Sequence, residues 1–201
     1  MNEPQVGVGP NPKPWPTDAK YDPILLEQGD SRNVLDKYRY WTVEAIKKDL
    51  DKSRIDLHIA IENYQHDMNI GTIVRNANAF NVAAVHIIGK HHWNKRGAMV
   101  TDKYLDVFYH GTVEEFVSAM GDRHIVAVDN LPGAVNLSDV ELPDHAVLVF
   151  GSEGPGLSKE MVEASEMMVA IEQFGSTRSV NVGVASGIVL YSWVQQHILK
   201  R

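Results

Sequence analysis

The stretches IDLHIAI at 55–61, NIGTIVRNANAF at 69–80 and AAVHII at 83–88 follow one another along the chain. A short apolar run, a run with apolar residues at helical spacing and a second short apolar run read as a strand, a helix over 72–80 and a strand. Further apolar runs at 124–129, 146–150 and 167–171 alternate with helical spacing at 113–120, 158–164 and 179–199. This rhythm predicts an α/β fold: a mostly parallel sheet with helices on both faces.

Upstream the texture differs. Residues 1–16 hold five of the nine prolines, too little apolar surface to offset ordering, so a flexible or extended arm is expected there. VLDKYRYWTVEAIKKDL at 34–50 has helical spacing, with Thr42 at the N-cap position and Val43, Ile46 and Leu50 on one face. The expected division is an N-terminal extension, 1–52, and one domain, 53–201.

Composition removes several function classes. With 201 residues there is room for one ordinary domain and its core. The longest apolar-leaning stretch, 182–194, is interrupted by Gly183, Ser186, Gly187 and Ser192, and it falls short of the ~20 residues of a bilayer span. No basic segment followed by an apolar one succeeds Met1, so the cytoplasm is the expected compartment. The absence of cysteine excludes disulfides, thiolate metal sites and cysteine nucleophiles. A net charge of −7 argues against nonspecific coating of nucleic acid, so any RNA role needs local basic patches.

Three segments concentrate unusual residues. In the first, Asn69 stands at a helix start, Gly71, Ala77 and Ala79 permit close packing, and Arg75 sits one turn inside. In the second, Gly151, Gly154 and Gly156 fall within six residues around Glu153, and Ser158 caps the next helix. That loop has Leu157 where a phosphate-binding loop needs lysine, and its glycine order is wrong for a dinucleotide fold. In the third, Ser179 and Asn181 open the last helix, and Gly183, Ala185 and Gly187 give it a small-residue face. Taken singly, each segment is also explained by capping, a tight turn or close helix packing.

Taken in order, Asn-x-Gly-x-x-x-Arg, Phe-Gly-x-Glu-Gly-x-Gly-Leu-Ser and Ser-x-Asn-Val resemble the three motifs of the SpoU (TrmH) family of RNA ribose methyltransferases over about residues 55–199. The resemblance implies a SPOUT-class fold with a C-terminal deep trefoil knot, S-adenosylmethionine as cofactor, and a homodimer that packs the first-motif and final helices against the partner. It places Asn69, Arg75, Glu153, Ser179 and Asn181 on the family's catalytic positions. Val128, Gly151, Ile171, Gly175, Ser179 and Val180 fall on the cofactor positions. The chain departs from the commoner Ile-Pro-Met with Ile171-Glu172-Gln173 and carries Arg178 where many members have a small or amide residue; both changes bear on target choice. The activity implied is methyl transfer to a ribose 2′-hydroxyl of tRNA or rRNA, with no metal and no membrane.

That chemistry needs in-line placement of a weak nucleophile and a route for its proton. A guanidinium holds its proton, so Arg75 suits clamping the neighbouring phosphate and polarising the hydroxyl better than acting as a base. For RNA contact, residues 90–103 carry Lys90, Lys95, Arg96 and Lys103 against Asp102, a local net of +3 beside Trp93. With Arg178 these form the expected RNA surface. Residues 37–54 also net +3, and there a packed amphipathic helix is the plainer explanation. None of the nine histidines shows metal spacing; His58 and His86 are expected as satisfied strand residues. Two readings compete with ribose methylation: a base-methylating SPOUT enzyme, disfavoured by the arginine motif, and a non-catalytic RNA-binding or assembly protein on a methyltransferase scaffold, disfavoured by the intact polar set.

Overall fold

The structure is a computed structural model that describes residues 7–64, 69–152 and 154–199. The chain divides into two compact units, Met1–Ser53 and Arg54–Arg201.

In the first unit, Asp22 accepts from the backbone N–H of Ile24 at 2.8 Å and, with Pro23 at the first helical position, starts α1 (Pro23–Gln28). Thr42 accepts from Ala45 N at 3.1 Å and caps α2 (Val43–Leu50). The helical spacing from 34 does not yield one continuous helix: a 3₁₀ turn spans Asp36–Tyr38, and Tyr40 at φ +64° interrupts it. Residues 7–16 form no helix; Val8 pairs with Asp30 as an antiparallel bridge, and the Tyr40 hydroxyl donates to Gly9 O at 2.6 Å. Asp30 organises this unit. Burial alone would raise its pKa, but bonds from the Arg32 guanidinium and from the backbone N–H groups of Tyr40 and Arg32 hold it at about 2.

The second unit runs β1 (Ile55–Asn63), α3 (Ile70–Ala79), β2 (Val82–Gly89), β3 (Val107–His110), α4 (Val113–Met120), β4 (His124–Val128), β5 (Val135–Asn136), β6 (Ala146–Phe150), α5 (Lys159–Ala164), β7 (Met167–Ala170) and α6 (Val182–Val194). The strands form one sheet in the order β3-β2-β1-β6-β4-β7-β5, and every neighbouring pair is parallel. The α/β architecture expected from the alternating runs is the observed one. Side-chain alternation sorts the two faces: Leu148 and Phe150 join α3 and α6 in one core, while Val147 and Val149 join α4 and α5 in the other. The final helix begins at Val182 rather than at Ser179, which leaves 179–181 in a loop. Among the described residues, no helix is long and apolar enough to cross a membrane.

Candidate functional site

In a parallel sheet the loops at the carboxyl ends of the strands gather where the strand order reverses, and ligands bind there. The ends of β4, β6 and β7 open into such a cavity of about 360 Å³. Val128, Gly151, Ile171, Ser179 and Val180 all line it, as does Asn181. Gly175 does not: it lies outside the lining in an exposed stretch where an added Cβ would touch nothing within 4 Å. Gln173, part of the departure noted from the sequence, also lines the cavity, as do Asp129, Asn130 and Ser152, which were not singled out.

The glycines of the second segment fold their loop back on itself. Gly156 N donates to Ser152 O at 3.0 Å, and a Cβ on Gly151 would sit 2.2 Å from Gly156 C, so only glycine fits. Gly156 takes φ +73° and leaves room for the Asp129 carboxylate, which accepts from Leu157 N at 3.0 Å and from Asn130 N at 2.8 Å. Beneath the loop, Ser158 donates through N and Oγ to the buried Glu62 carboxylate at 2.7 and 2.6 Å. Burial lifts the Glu62 carboxyl above the ordinary carboxylate range, against the pull of these bonds. Ser158 Oγ also accepts from Met161 N at 3.1 Å, capping α5 as expected.

On the other wall, Asn181 Oδ1 accepts from Gly183 N at 3.0 Å and Val184 N at 3.3 Å, capping α6. Its Nδ2 donates to Asn69 Oδ1 at 2.9 Å. This corrects the expectation for Asn69: it occupies the N-cap position of α3 but makes no side-chain capping bond there. The bond joins the first and third motifs across 112 positions. Two turns on, Asn76 Nδ2 donates to Gly183 O and Ser186 Oγ, both at 2.9 Å, and a Cβ on Gly183 would meet Thr72 Cγ2 at 2.9 Å. Helices α3 and α6 therefore touch through glycine and small polar groups, which fixes the helix that bears Arg75 against the cavity wall. Arg75 is exposed on α3. Glu153 lies outside the described residues.

The basic loop after β2 is held close by. Asn63 Nδ2 donates to Lys90 O at 2.6 Å and His92 O at 3.1 Å, while a Cβ on Gly71 would lie 2.7 Å from Ala98 N. The loop thus docks against the first turn of α3. Lys90 and Arg96 are exposed, but Trp93 is half-buried against the core. Lys95 pairs with Asp102 at 2.8 Å, a bond that raises its pKa, and its ammonium lies 5.5 Å from the Trp93 ring centre. Arg178 is exposed, and its carbonyl accepts from Asn130 Nδ2.

A profile of the SpoU rRNA Methylase family matches residues 56–191. A tRNA (guanosine(18)-2′-O)-methyltransferase of Borreliella burgdorferi is 26% identical over 152 residues, 73% of this chain and 70% of the relative. The crystal structure of the Aquifex aeolicus TrmH/SpoU tRNA modifying enzyme is similar at TM-score 0.69 and 27% identity, covering 79% of this chain and 83% of that one. The SpoU methyltransferase AviRb of Streptomyces viridochromogenes, in complex with the cofactor AdoMet, shares the fold at TM-score 0.64 and 23% identity, covering 75% and 64%.

Proposed function

The chain belongs to the SpoU rRNA methylase family, and from that premise we propose how its residues divide the work of the reaction. It is an S-adenosylmethionine-dependent enzyme that methylates a ribose 2′-hydroxyl of tRNA or rRNA. The observation that carries the reading is the cavity walled by the Gly151–Gly156 loop and by residues 171–181, joined to α3 through the Asn181–Asn69 bond.

The cavity suits the cofactor: its size is that of a small-molecule site, and its glycine loop brings backbone groups where a Cβ would block them. Val128, Gly151, Ile171, Ser179 and Val180 are the residues that would hold it. Bound S-adenosylmethionine supplies a methyl group already activated for transfer. What remains for the protein is placement and charge. Asn69 and Asn181 fix α3 relative to the donor cavity. Arg75 clamps the phosphate beside the target ribose and polarises the 2′-hydroxyl, whose proton leaves in concert with transfer or through water. Glu153 and Ser179 complete the polar set by motif position. Lys90, Arg96 and Arg178 meet the RNA backbone, with Lys95 and Trp93 bracing the basic loop.

The last helix supports a homodimer. From Val182 to Val194 it carries no charge, and a helix apolar on every side is one that is covered on every side. Val184, Ile188 and Tyr191 are nevertheless exposed on one chain, spaced for a single stripe. A second copy covers them. The threading of the C-terminal segment as a trefoil knot and a cytoplasmic location belong to the same proposal.

Tritiated-methyl transfer from S-adenosylmethionine into separated tRNA and rRNA pools tests the reading. Incorporation into one pool is expected; none into either contradicts it.

A further inference from the structure

Next in sequence to the cavity-lining Gln173, Phe174 is 98% exposed, whereas Phe108 is 50% exposed and Phe116 and Phe150 are fully buried. A phenyl ring in water gives up the burial that stabilises it elsewhere. The loop that carries it is anchored at both ends: Ser138 N donates to the Glu172 carboxylate at 3.2 Å, and Asn130 Nδ2 donates to Arg178 O. Between those anchors, Gln173 lines the cavity, and Gly175 faces open space. The ring is therefore held out beside the site by a fastened loop, and Arg178 stands on the same loop, also exposed.

Three occupants suit an exposed ring here. The methyl donor is the weakest fit, because Gln173 lines the donor cavity and Phe174 does not. A second copy of the chain fits the uncharged stripe on α6, whereas Phe174 is followed by Gly175, Ser176, Thr177 and Arg178, all exposed. A nucleobase fits best: it stacks on an aromatic face, and the phosphate beside it pairs with a guanidinium. We propose that Phe174 stacks on a base of the RNA next to the ribose being methylated, with Arg178 on the adjoining phosphate. This rests on the RNA methyltransferase reading and adds a substrate contact that the family motifs do not supply.

The full chain is compared with Phe174→Ala and Phe174→Trp. Alanine is expected to raise KM for RNA about tenfold or more, within the range of one stacked base, with S-adenosylmethionine affinity by calorimetry and solution mass unchanged; tryptophan restores KM. An unchanged KM, a parallel loss of donor affinity, or a change in mass overturns the proposal. Fluorescence of Phe174→Trp, with the wild-type signal subtracted, is titrated with total tRNA and with rRNA. Quenching when the wild type methylates neither pool upholds the stacking on RNA and rejects the reaction; methylation without quenching rejects the stacking alone.

Discussion

On the α4/α5 face of the sheet, Phe116, Met120 and Met161 are buried, and three strand histidines bond one another. His58 Nδ1 meets His86 Nε2, and His86 Nδ1 meets His110 Nε2, each at 2.9 Å, in a diagonal ladder across β1, β2 and β3. On the α3/α6 face the helices are joined to each other as firmly, through Asn76, Gly183 and the Asn69–Asn181 pair, yet Val184, Ile188, Tyr191 and Arg75 remain exposed. The contrast separates two kinds of polar cluster. One is closed and serves stability; the other is left open on the side that borders the cavity, where substrate and a second subunit are proposed to sit.

Four changes probe that contrast, the largest effect first. Arg75→Ala, on the open face, is expected to lower turnover about a thousandfold, the scale of losing a positioned charge at the reacting group, while donor affinity stays within a few-fold. Equal loss of donor affinity in calorimetry contradicts a clamp that acts on RNA alone. Gly151→Ala places a Cβ 2.2 Å from Gly156 C, so the loop must open. Donor affinity should fall roughly 10- to 100-fold, with a lower thermal midpoint; full retention would mean that the loop does not shape the donor cavity. Ile188→Asp puts a charge in the exposed stripe of α6 and should weaken self-association about tenfold or more, seen as a mass shift on dilution. An unchanged mass removes that stripe from the interface.

The smallest effect belongs to the closed face. Burial holds His58 at about 4 and His86 at about 3, with Arg123 and the neighbouring histidines adding to the depression, and burial also lowers His110. Asp56 and Glu115 oppose it from the two ends of the ladder. A folded-state pKa below the unfolded value means that the unfolded chain binds the proton first. Their contribution to stability is then full above about pH 6.5 and declines as pH falls toward 3. Each imidazole contributes a slope of up to about 1.4 kcal/mol per pH unit. His86→Leu should flatten the dependence of the urea midpoint over that window, whereas Arg75→Ala should leave it unchanged. Asp30, held at about 2, loses its contribution as pH falls through the ordinary carboxylate range, at the acid end of this window.

The fold was legible where apolar runs were long and local. The strand expected at 146–150 matches β6, the helix at 113–120 matches α4, and Ser158 caps α5 as its position implied. The half-buried β3, VFYH, has no aliphatic run, and β5 is two residues long; neither announces itself in a period-2 pattern. Helix α1 was missed although Asp22-Pro23 is a start signal, because six residues are too few to show helical spacing. In the site, ordered motifs located the cavity walls, but pairings across long separations left no local trace. Asn69 looked like a cap because its partner, Asn181, is 112 positions away. Asp129 looked like a strand end, since the loop it fastens begins only after β6. His58 and His86 were expected to be satisfied strand residues; that they satisfy each other required the strand order and the diagonal register.

The open face is proposed to direct a donated methyl group to a ribose oxygen. Nucleoside mass spectrometry of RNA methylated by the purified chain tests it most directly, using tRNA and rRNA from cells lacking the gene. A 2′-O-methylnucleoside in one pool, lost with Arg75→Ala, is the expected result. A methylated base with an unmodified ribose, or no methylated nucleoside despite bound S-adenosylmethionine, would contradict it.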